Sequence, residues 1–70
     1  MSMKIFAERL IELRKEKHMS QAQLAKLIGV SNSTVAFWEL DTCEPTAPNL
    51  SKVAEVFGVS VDYLLGRSDF

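Results

Sequence analysis

The side chains best suited to recognition chemistry lie in residues 31–45, SNSTVAFWELDTCEP. The segment opens on Ser31, Asn32 and Ser33, whose hydroxyl and amide groups can both donate and accept hydrogen bonds. An Asn side chain can pair bidentately with adenine, so a helix that begins here could read base edges. The same segment holds two Glu, one Asp and no Lys or Arg, a balance that disfavours contact with a polyanion. Its polar groups suit nucleic acid, whereas its charge does not.

The other reactive residues of the chain do not form a pattern suited to catalysis. The chain has one His, His18, and one Cys, Cys43, with no Gly-rich phosphate loop and no carboxylate pair in a predictable cleft. A lone thiol without neighbouring ligands offers no metal site. We therefore expect no enzyme activity, no metal and no cofactor. We interpret Cys43 as a small loop residue and His18 as a turn residue, since His tolerates a left-handed backbone.

Length and composition predict one domain over residues 1–70, since 47% of the residues are hydrophobic and 24% are charged. The net charge of −1 gives no overall sign of nucleic-acid binding. The N-terminal stretch MSMKIFAERL contains no apolar signal segment, and no run is long enough to cross a membrane. Because a single Cys cannot form an internal disulfide, we expect a cytoplasmic protein.

The elements that must position the polar segment are helices. Apolar residues recur at steps of three and four, without an alternating stretch bounded by strand-type turns, so the pattern predicts an all-α fold. Ser20 with Gln23 makes a capping-box pattern, and Gly29 is placed to end the helix that follows. The predicted helices cover about residues 3–17, 21–28, 32–40, 47–57 and a short stretch after Ser60.

Only residues 29–31 join the second and third predicted helices, which forces a sharp crossing. Ala25 is small enough for a neighbouring helix to lie against it, and Val35 can pack across the crossing. Gly29 is free to adopt a positive φ in the turn. The sequence therefore predicts a helix-turn-helix unit at about residues 21–40.

Two stretches carry a resemblance to a known family. They are SQAQLAKLIGVSNSTVAFWE, residues 20–39, and EPTAPNLSKVAEVFGVSVDYLLG, residues 44–66. Both resemble the phage repressor and Cro group of helix-turn-helix proteins, also called xenobiotic-response-element-like regulators. The resemblance covers almost the whole chain. It implies a compact five-helix lambda-repressor-like DNA-binding domain.

The resemblance also implies roles for individual residues. The third helix would enter the major groove while the second spans the backbone, and two copies would bind half-sites about one helical turn apart. Family positions that face base edges correspond to Ser31, Asn32, Ser33 and Phe37. Family positions that contact phosphate correspond to Ser20, Gln21, Lys26 and Thr34. A buried ion pair that ties the first helix to the end of the third corresponds to Arg14 and Glu39.

Several of these residues have a purely structural alternative. Ser31 can serve as a helix cap, and Asn32 can be an ordinary polar residue of a first turn. Gln21 at a helix start can be a surface residue. Lys15 and Lys17 are ordinary solvated charges or phosphate contacts, and both readings stay open.

The sequence departs from the family where contact with phosphate would be strongest. The family usually has a basic or long polar residue at Phe37, and Gly with Lys or Arg within residues 41–44. An acidic loop there should reduce affinity for DNA and flatten its salt dependence. Uncharged donors can still hold phosphate, and Phe37 could lie against thymine methyl groups.

An excess of apolar residues predicts a partner surface. An exposed patch could include Ile11, Leu27, Phe37 and Leu40, although Ile11 and Leu27 could equally enlarge the core. By resemblance, a two-fold contact could involve Tyr63, Leu64 and Phe70, with Leu64 better suited to the core.

Two functions therefore stand as hypotheses. The first is a sequence-specific DNA-binding transcriptional regulator, a repressor that binds a pseudo-palindromic operator in double-stranded DNA as a homodimer. The second is a protein-interaction module that keeps the fold but has weak or lost DNA binding, and that uses an apolar patch including Phe37. Neither involves a membrane.

Overall fold

The structure is a computed structural model that describes residues 3–69. Within that range the chain forms helices and no strands, which confirms the all-α prediction. No helix among these residues is long and apolar enough to span a bilayer. The five helices are α1 (Lys4–Glu16), α2 (Gln21–Ile28), α3 (Asn32–Glu39), α4 (Ala47–Phe57) and α5 (Val61–Leu64).

Side-chain caps define the starts of α2, α3, α4 and α5. Ser20 accepts a hydrogen bond from the Gln23 amide, and the Gln23 side chain accepts one from the Ser20 amide, so the predicted capping box is present. Each of these helix-start oxygens satisfies an amide that has no partner within its own helix. The remaining three caps accept from the amide three residues ahead, and they are Ser31, Thr46 and Ser60.

Two helices differ from their predicted bounds by one residue, α1 at both ends and α3 at its C-terminal end. The first helix is shorter than 3–17 because Met3 and Lys17 occupy its cap positions. The third stops at Glu39 rather than Leu40. Beyond Leu40 the backbone turns left-handed at Asp41, with φ of 57°, and this conformation cannot continue a right-handed helix. A positive φ of 55° at His18 confirms the predicted turn residue.

The core lies where α2 and α3 cross, beneath α1, α4 and α5. Its fully buried side chains include Trp38, whose ring meets that of Phe6 edge-on with centroids 6.3 Å apart. Ala25 is buried at the crossing, as its small side chain predicted. Gly29 has φ of 87° and open space around it, so backbone conformation rather than lack of room calls for glycine there. The remaining side chains below 2% exposure are Leu10, Leu24, Val35, Val53 and Leu64.

Candidate nucleic-acid interface

The turn between α2 and α3 sets which side of α3 faces outward. Both the Gly29 and Val30 amides donate to the Ala25 carbonyl, which closes α2, and Ser31 then caps α3. Val35 and Trp38 of α3 point into the core with 0% and 1% exposure. Since successive helical residues are about 100° apart, the opposite side of α3 faces away from the protein.

The outward side of α3 is uncharged and largely apolar. We call it the reading face, and it consists of Ser33, Ala36, Phe37 and Leu40. Phe37 is 50% exposed and Leu40 is 69% exposed. Positions 33, 37 and 40 fall on one helical stripe, because residues three and four apart are neighbours. The face therefore offers one hydroxyl and two large apolar side chains to a partner.

Asn32 lies at the edge of the reading face, in the first turn of α3. Its side chain is exposed and makes no hydrogen bond with any residue from 3 to 69. Its amide therefore keeps all its donor and acceptor capacity for a ligand.

The three hydroxyls beside Asn32 are partly engaged with each other. The Ser31 Oγ accepts from the Thr34 amide at 3.2 Å and lies 2.8 Å from the Thr34 Oγ1. It also lies 3.3 Å from the Ser33 Oγ. Ser31 is therefore the N-terminal cap of α3, which was its structural alternative in the sequence analysis. Thr34 is half-buried. The cluster still faces solvent through Ser31 and Ser33.

Arg14 and Glu39 form a two-pronged ion pair that joins α1 to the end of α3. The Arg14 Nε lies 2.7 Å from the Glu39 Oε2, and its Nη2 lies 3.0 Å from Oε1. The side chains are only 14% and 6% exposed. The hydrogen bond with Glu39 raises the pKa of the Arg14 guanidinium, against the lowering effect of burial, so the cation persists at every physiological pH.

Gln21 joins this ion pair from α2. Its Nε2 donates to the Glu39 Oε1 at 2.9 Å, while the Arg14 Nη1 donates to the Met19 carbonyl at 2.9 Å. Gln21 is half-buried rather than a free surface residue. One amide hydrogen of Gln21 is therefore held by the carboxylate, and the other remains for a ligand. Sequence reasoning missed this bond because its partners are 18 residues apart.

Ser20 and Lys26 lie at different places along α2. Ser20 caps the start of α2, where its Oγ accepts from the Gln23 amide at 3.0 Å and its own hydroxyl hydrogen stays free to donate. Lys26 lies in the last turn and lines an open groove with Met19, Gln23 and Leu27. The expected phosphate-contacting residues are thus spread along α2 and α3, and do not form one pocket.

Two of the three acidic residues in segment 31–45 are turned to internal contacts. Glu39 is paired with Arg14, and the Asp41 Oδ1 accepts from the Met3 amide at 2.9 Å. Among the described residues, the Glu44 carboxylate has no hydrogen-bond or ion-pair partner. The predicted acidic loop is present, since Asp41 and Glu44 are both exposed, and the Asp41 carboxylate also holds the start of α1.

The predicted apolar patch is only partly confirmed. Leu27 is 60% exposed, so its core alternative is wrong, whereas Ile11 is half-buried. Leu27 belongs to the groove on α2, and Phe37 and Leu40 belong to the reading face on α3. Ile5, which the sequence analysis did not place on the patch, is 48% exposed.

The C-terminal segment is fastened to α1 by Arg9, which sequence reasoning also missed. The Arg9 Nη1 donates to the carbonyls of Tyr63 and of Ser68, and the guanidinium lies 4.1 Å from the centre of the Tyr63 ring. Leu64 is fully buried, which confirms its core assignment. Phe70 lies outside the described residues.

Metal chemistry has no support within residues 3–69. No group of three His, Cys, Asp or Glu side chains there could hold a metal ion. Cys43 is exposed in the loop between α3 and α4.

Comparison with known proteins gives consistent similarities. The family model HTH_3, described as helix-turn-helix, matches residues 10–64. The uncharacterized HTH-type transcriptional regulator YobD of Bacillus subtilis is 35% identical over 65 residues, 93% of this chain and 58% of that protein. Repressor protein C2 of Salmonella phage P22 is 37% identical over 65 residues, 93% of this chain and 30% of that protein. The chain thus spans less than two thirds of the length of either relative.

Solved structures agree on the fold. The crystal structure of the P22 c2 repressor protein in complex with synthetic operator 9T superposes with a TM-score of 0.85 at 36% identity, covering 90% of this chain and 96% of that one. Hydroxypropylphosphonic acid epoxidase from S. wedmorenis superposes with a TM-score of 0.80 at 38% identity, but over only 34% of its chain. The likeness to that enzyme is a shared fold over part of its length.

Proposed function

The chain belongs to the HTH_3 helix-turn-helix family, and from this premise we propose that it is a transcriptional regulator that binds double-stranded DNA sequence-specifically, as a repressor occupying an operator. The observation that carries the proposal is the exposed, uncommitted Asn32 amide beside the reading face of α3. The backbone of the chain that carries Asn32 superposes with a TM-score of 0.85 on a repressor solved with an operator. The family and these relatives are regulators, which supports a role other than catalysis.

In the proposed complex α3 lies in the major groove and α2 spans the backbone. Asn32 pairs with a base edge, because its amide has no competing partner within the described chain. The other proposed base contacts are Ser31, Ser33 and Phe37. The proposed phosphate contacts are Ser20, Gln21, Lys26 and Thr34.

The shortage of cations is offset by uncharged donors. The hydroxyl of Ser20 and the second amide hydrogen of Gln21 both lie at the start of α2, where free backbone amides carry a partial positive charge. Such groups hold phosphate without formal charge. Because Glu39 is paired with Arg14, the exposed carboxylates of Asp41 and Glu44 are the local sources of repulsion. Weak, shallowly salt-dependent binding by one copy is the expected result.

We propose that the regulator acts as a homodimer in the cytoplasm, with half-sites about one helical turn apart. Weak binding by one copy favours this assembly, because a second half-site binds at a high effective concentration once the first is held. Tyr63 lies on the proposed contact surface near the last helix, where Arg9 fixes its ring.

Selection from random duplex DNA tests the proposal. The protein is mixed with the pool in low salt and in physiological salt, and bound duplexes are recovered by gel shift and sequenced. We expect enrichment of a pseudo-palindrome whose half-sites are centred about 10 base pairs apart. Failure to enrich any sequence in either buffer would refute sequence-specific binding.

A second function is favoured by one observation. Phe37 and Leu40 expose half or more of their surfaces on a face with no charged residue, which also suits a protein partner. In that case the reading face would bind another regulator and DNA affinity would be weak. The same selection separates the two functions, because an interaction module would enrich no palindrome.

A further inference from the structure

We propose that Phe37 makes this regulator select operators by the C5-methyl group of thymine, so that each half-site carries thymine opposite the Phe37 ring. This inference rests on the proposed DNA-binding function and adds the class of base that the site reads. It concerns the apolar part of the reading face, which no hydrogen-bonding argument explains.

Position and exposure single out Phe37 on α3. It lies one helical turn beyond Ser33 and one turn before Leu40, so it occupies the middle of the reading face. It is 50% exposed, which means that the protein covers half of the side chain and leaves the other half for a ligand. Trp38, the next residue, is 1% exposed and fixes the rotation of the helix.

The chemistry of the major groove leaves one favourable partner for such a ring. Purine edges and the cytosine edge present nitrogen and oxygen atoms that an aromatic ring would desolvate without returning a hydrogen bond, at a net cost. Thymine presents a methyl group, whose burial against the ring is favourable. An aromatic residue pressed into the groove therefore discriminates for a methylated pyrimidine.

The neighbouring side chain points to the same kind of base pair. Asn32 is suited to adenine, whose partner on the other strand is thymine. A half-site read by Asn32 and Phe37 together is therefore rich in A·T pairs. The face has no Lys or Arg to pair with guanine, which removes the usual competing preference.

Uracil substitution in the selected operator isolates the methyl group. Each thymine of a half-site is replaced in turn by uracil, which keeps base pairing and the O4 acceptor and lacks only the methyl. We expect the Kd to rise about fourfold at the position under Phe37, the ratio that corresponds to burying one methyl-sized group. Unchanged affinity at every position would overturn the inference while leaving the proposed function intact.

Variants assign the effect to the side chain. With Phe37→Ala the ratio of uracil to thymine Kd values should fall to about one. Leu27→Ala is the matched control, because Leu27 is 60% exposed on α2, outside the reading face, and its removal should leave the ratio at about four. Phe37→Leu provides a second variant that keeps an apolar group if the alanine variant proves unstable, and it should retain part of the ratio. A ratio that persists in Phe37→Ala would show that another residue reads the methyl.

A parallel selection tests the methyl group on another base. The random pool is methylated at cytosine C5 before selection, and 5-methylcytosine should then be enriched together with thymine opposite Phe37, because both bases carry the C5-methyl group that the ring covers. Continued exclusion of cytosine at that position from the methylated pool would overturn the reading of the methyl group. If no operator is enriched from any pool, the proposed function fails and this inference fails with it.

Discussion

The two sides of α3 have similar chemistry and opposite roles. The inward side carries Val35 and Trp38, at 0% and 1% exposure. The outward side carries Phe37 and Leu40, at 50% and 69%. Both are apolar, so hydrophobicity alone does not distinguish a core position from a recognition position on this helix. We infer that the inward side determines stability and the outward side determines which DNA is bound.

The substitution with the largest expected effect on the free energy of unfolding is Trp38→Ala. It removes a buried ring packed against Phe6, and such a truncation costs about 3–5 kcal/mol of the free energy of unfolding. A domain of this size has about 4–10 kcal/mol in total, so we expect the variant to lose roughly a third of its stability or more. Circular dichroism during urea denaturation measures the loss. Phe37→Ala is the matched control and should change the free energy by less than about 1 kcal/mol. Equal losses of stability in the two variants would show that the inward and outward sides of α3 do not differ in their contribution to stability.

At the edge between the two sides, Glu39→Ala should cost about 3 kcal/mol, because it leaves the largely buried Arg14 cation unpaired. The Gln21 amide loses its acceptor as well. Glu44→Ala removes an exposed carboxylate of the same type and should alter the free energy by less than about 0.5 kcal/mol. The midpoints of urea denaturation compare the pair. Matching midpoints would show that the ion pair contributes nothing to stability.

On the outward side, Asn32→Ala should leave the melting temperature nearly unchanged, since the side chain has no partner among the described residues. It should relax preference at one base pair of each half-site by about 1–3 kcal/mol. Competition gel shifts with single-base operator variants measure the preference. Affinity that fell equally for every sequence would instead identify Asn32 as a backbone contact.

The smallest effect is expected for Asp41→Gly. Glycine relieves the left-handed backbone at φ of 57° but loses the hydrogen bond to the Met3 amide, so the two effects should cancel to within about 1 kcal/mol. Asp41→Ala loses the bond without relieving the backbone and should cost about 1–2 kcal/mol. Thermal melts compare the variants. A more stable alanine variant would show that the bond to Met3 does not hold the start of α1.

Local chemistry made much of the fold predictable. A cap and the amide three residues ahead belong to one turn of helix. The start of α2 could therefore be predicted from Ser20 and Gln23, and its end from Gly29. The small side chain of Ala25 and the branched side chain of Val35 likewise indicated the crossing of α2 and α3, where both are buried. The helix-turn-helix followed from the three-residue connection, because so short a link permits few crossings.

The resemblance proposed the members of the candidate site, whose roles stay predictions, and did not reveal the contacts between them. Asn32 and Phe37 match family positions that face base edges, and both are exposed on α3. The hydrogen bonds between Gln21 and Glu39 and between Asp41 and Met3 could not be predicted, because they join residues 18 and 38 positions apart. Whether Leu27 lies in the core or on the surface also depends on contacts between distant parts of the chain, so the sequence left both alternatives open.

The sequence by itself therefore determined where helices begin, end and turn, because those preferences act within one or two turns of chain. Only the tertiary structure decided which charges are exposed and which apolar side chains are free. Packing fixes the direction of every side chain at once, and Glu39 or Leu27 faces inward or outward according to helices that lie far away in the sequence. The reading face of α3 is apolar for this physical reason, while the carboxylates of Asp41 and Glu44 stay exposed in the loop that follows it.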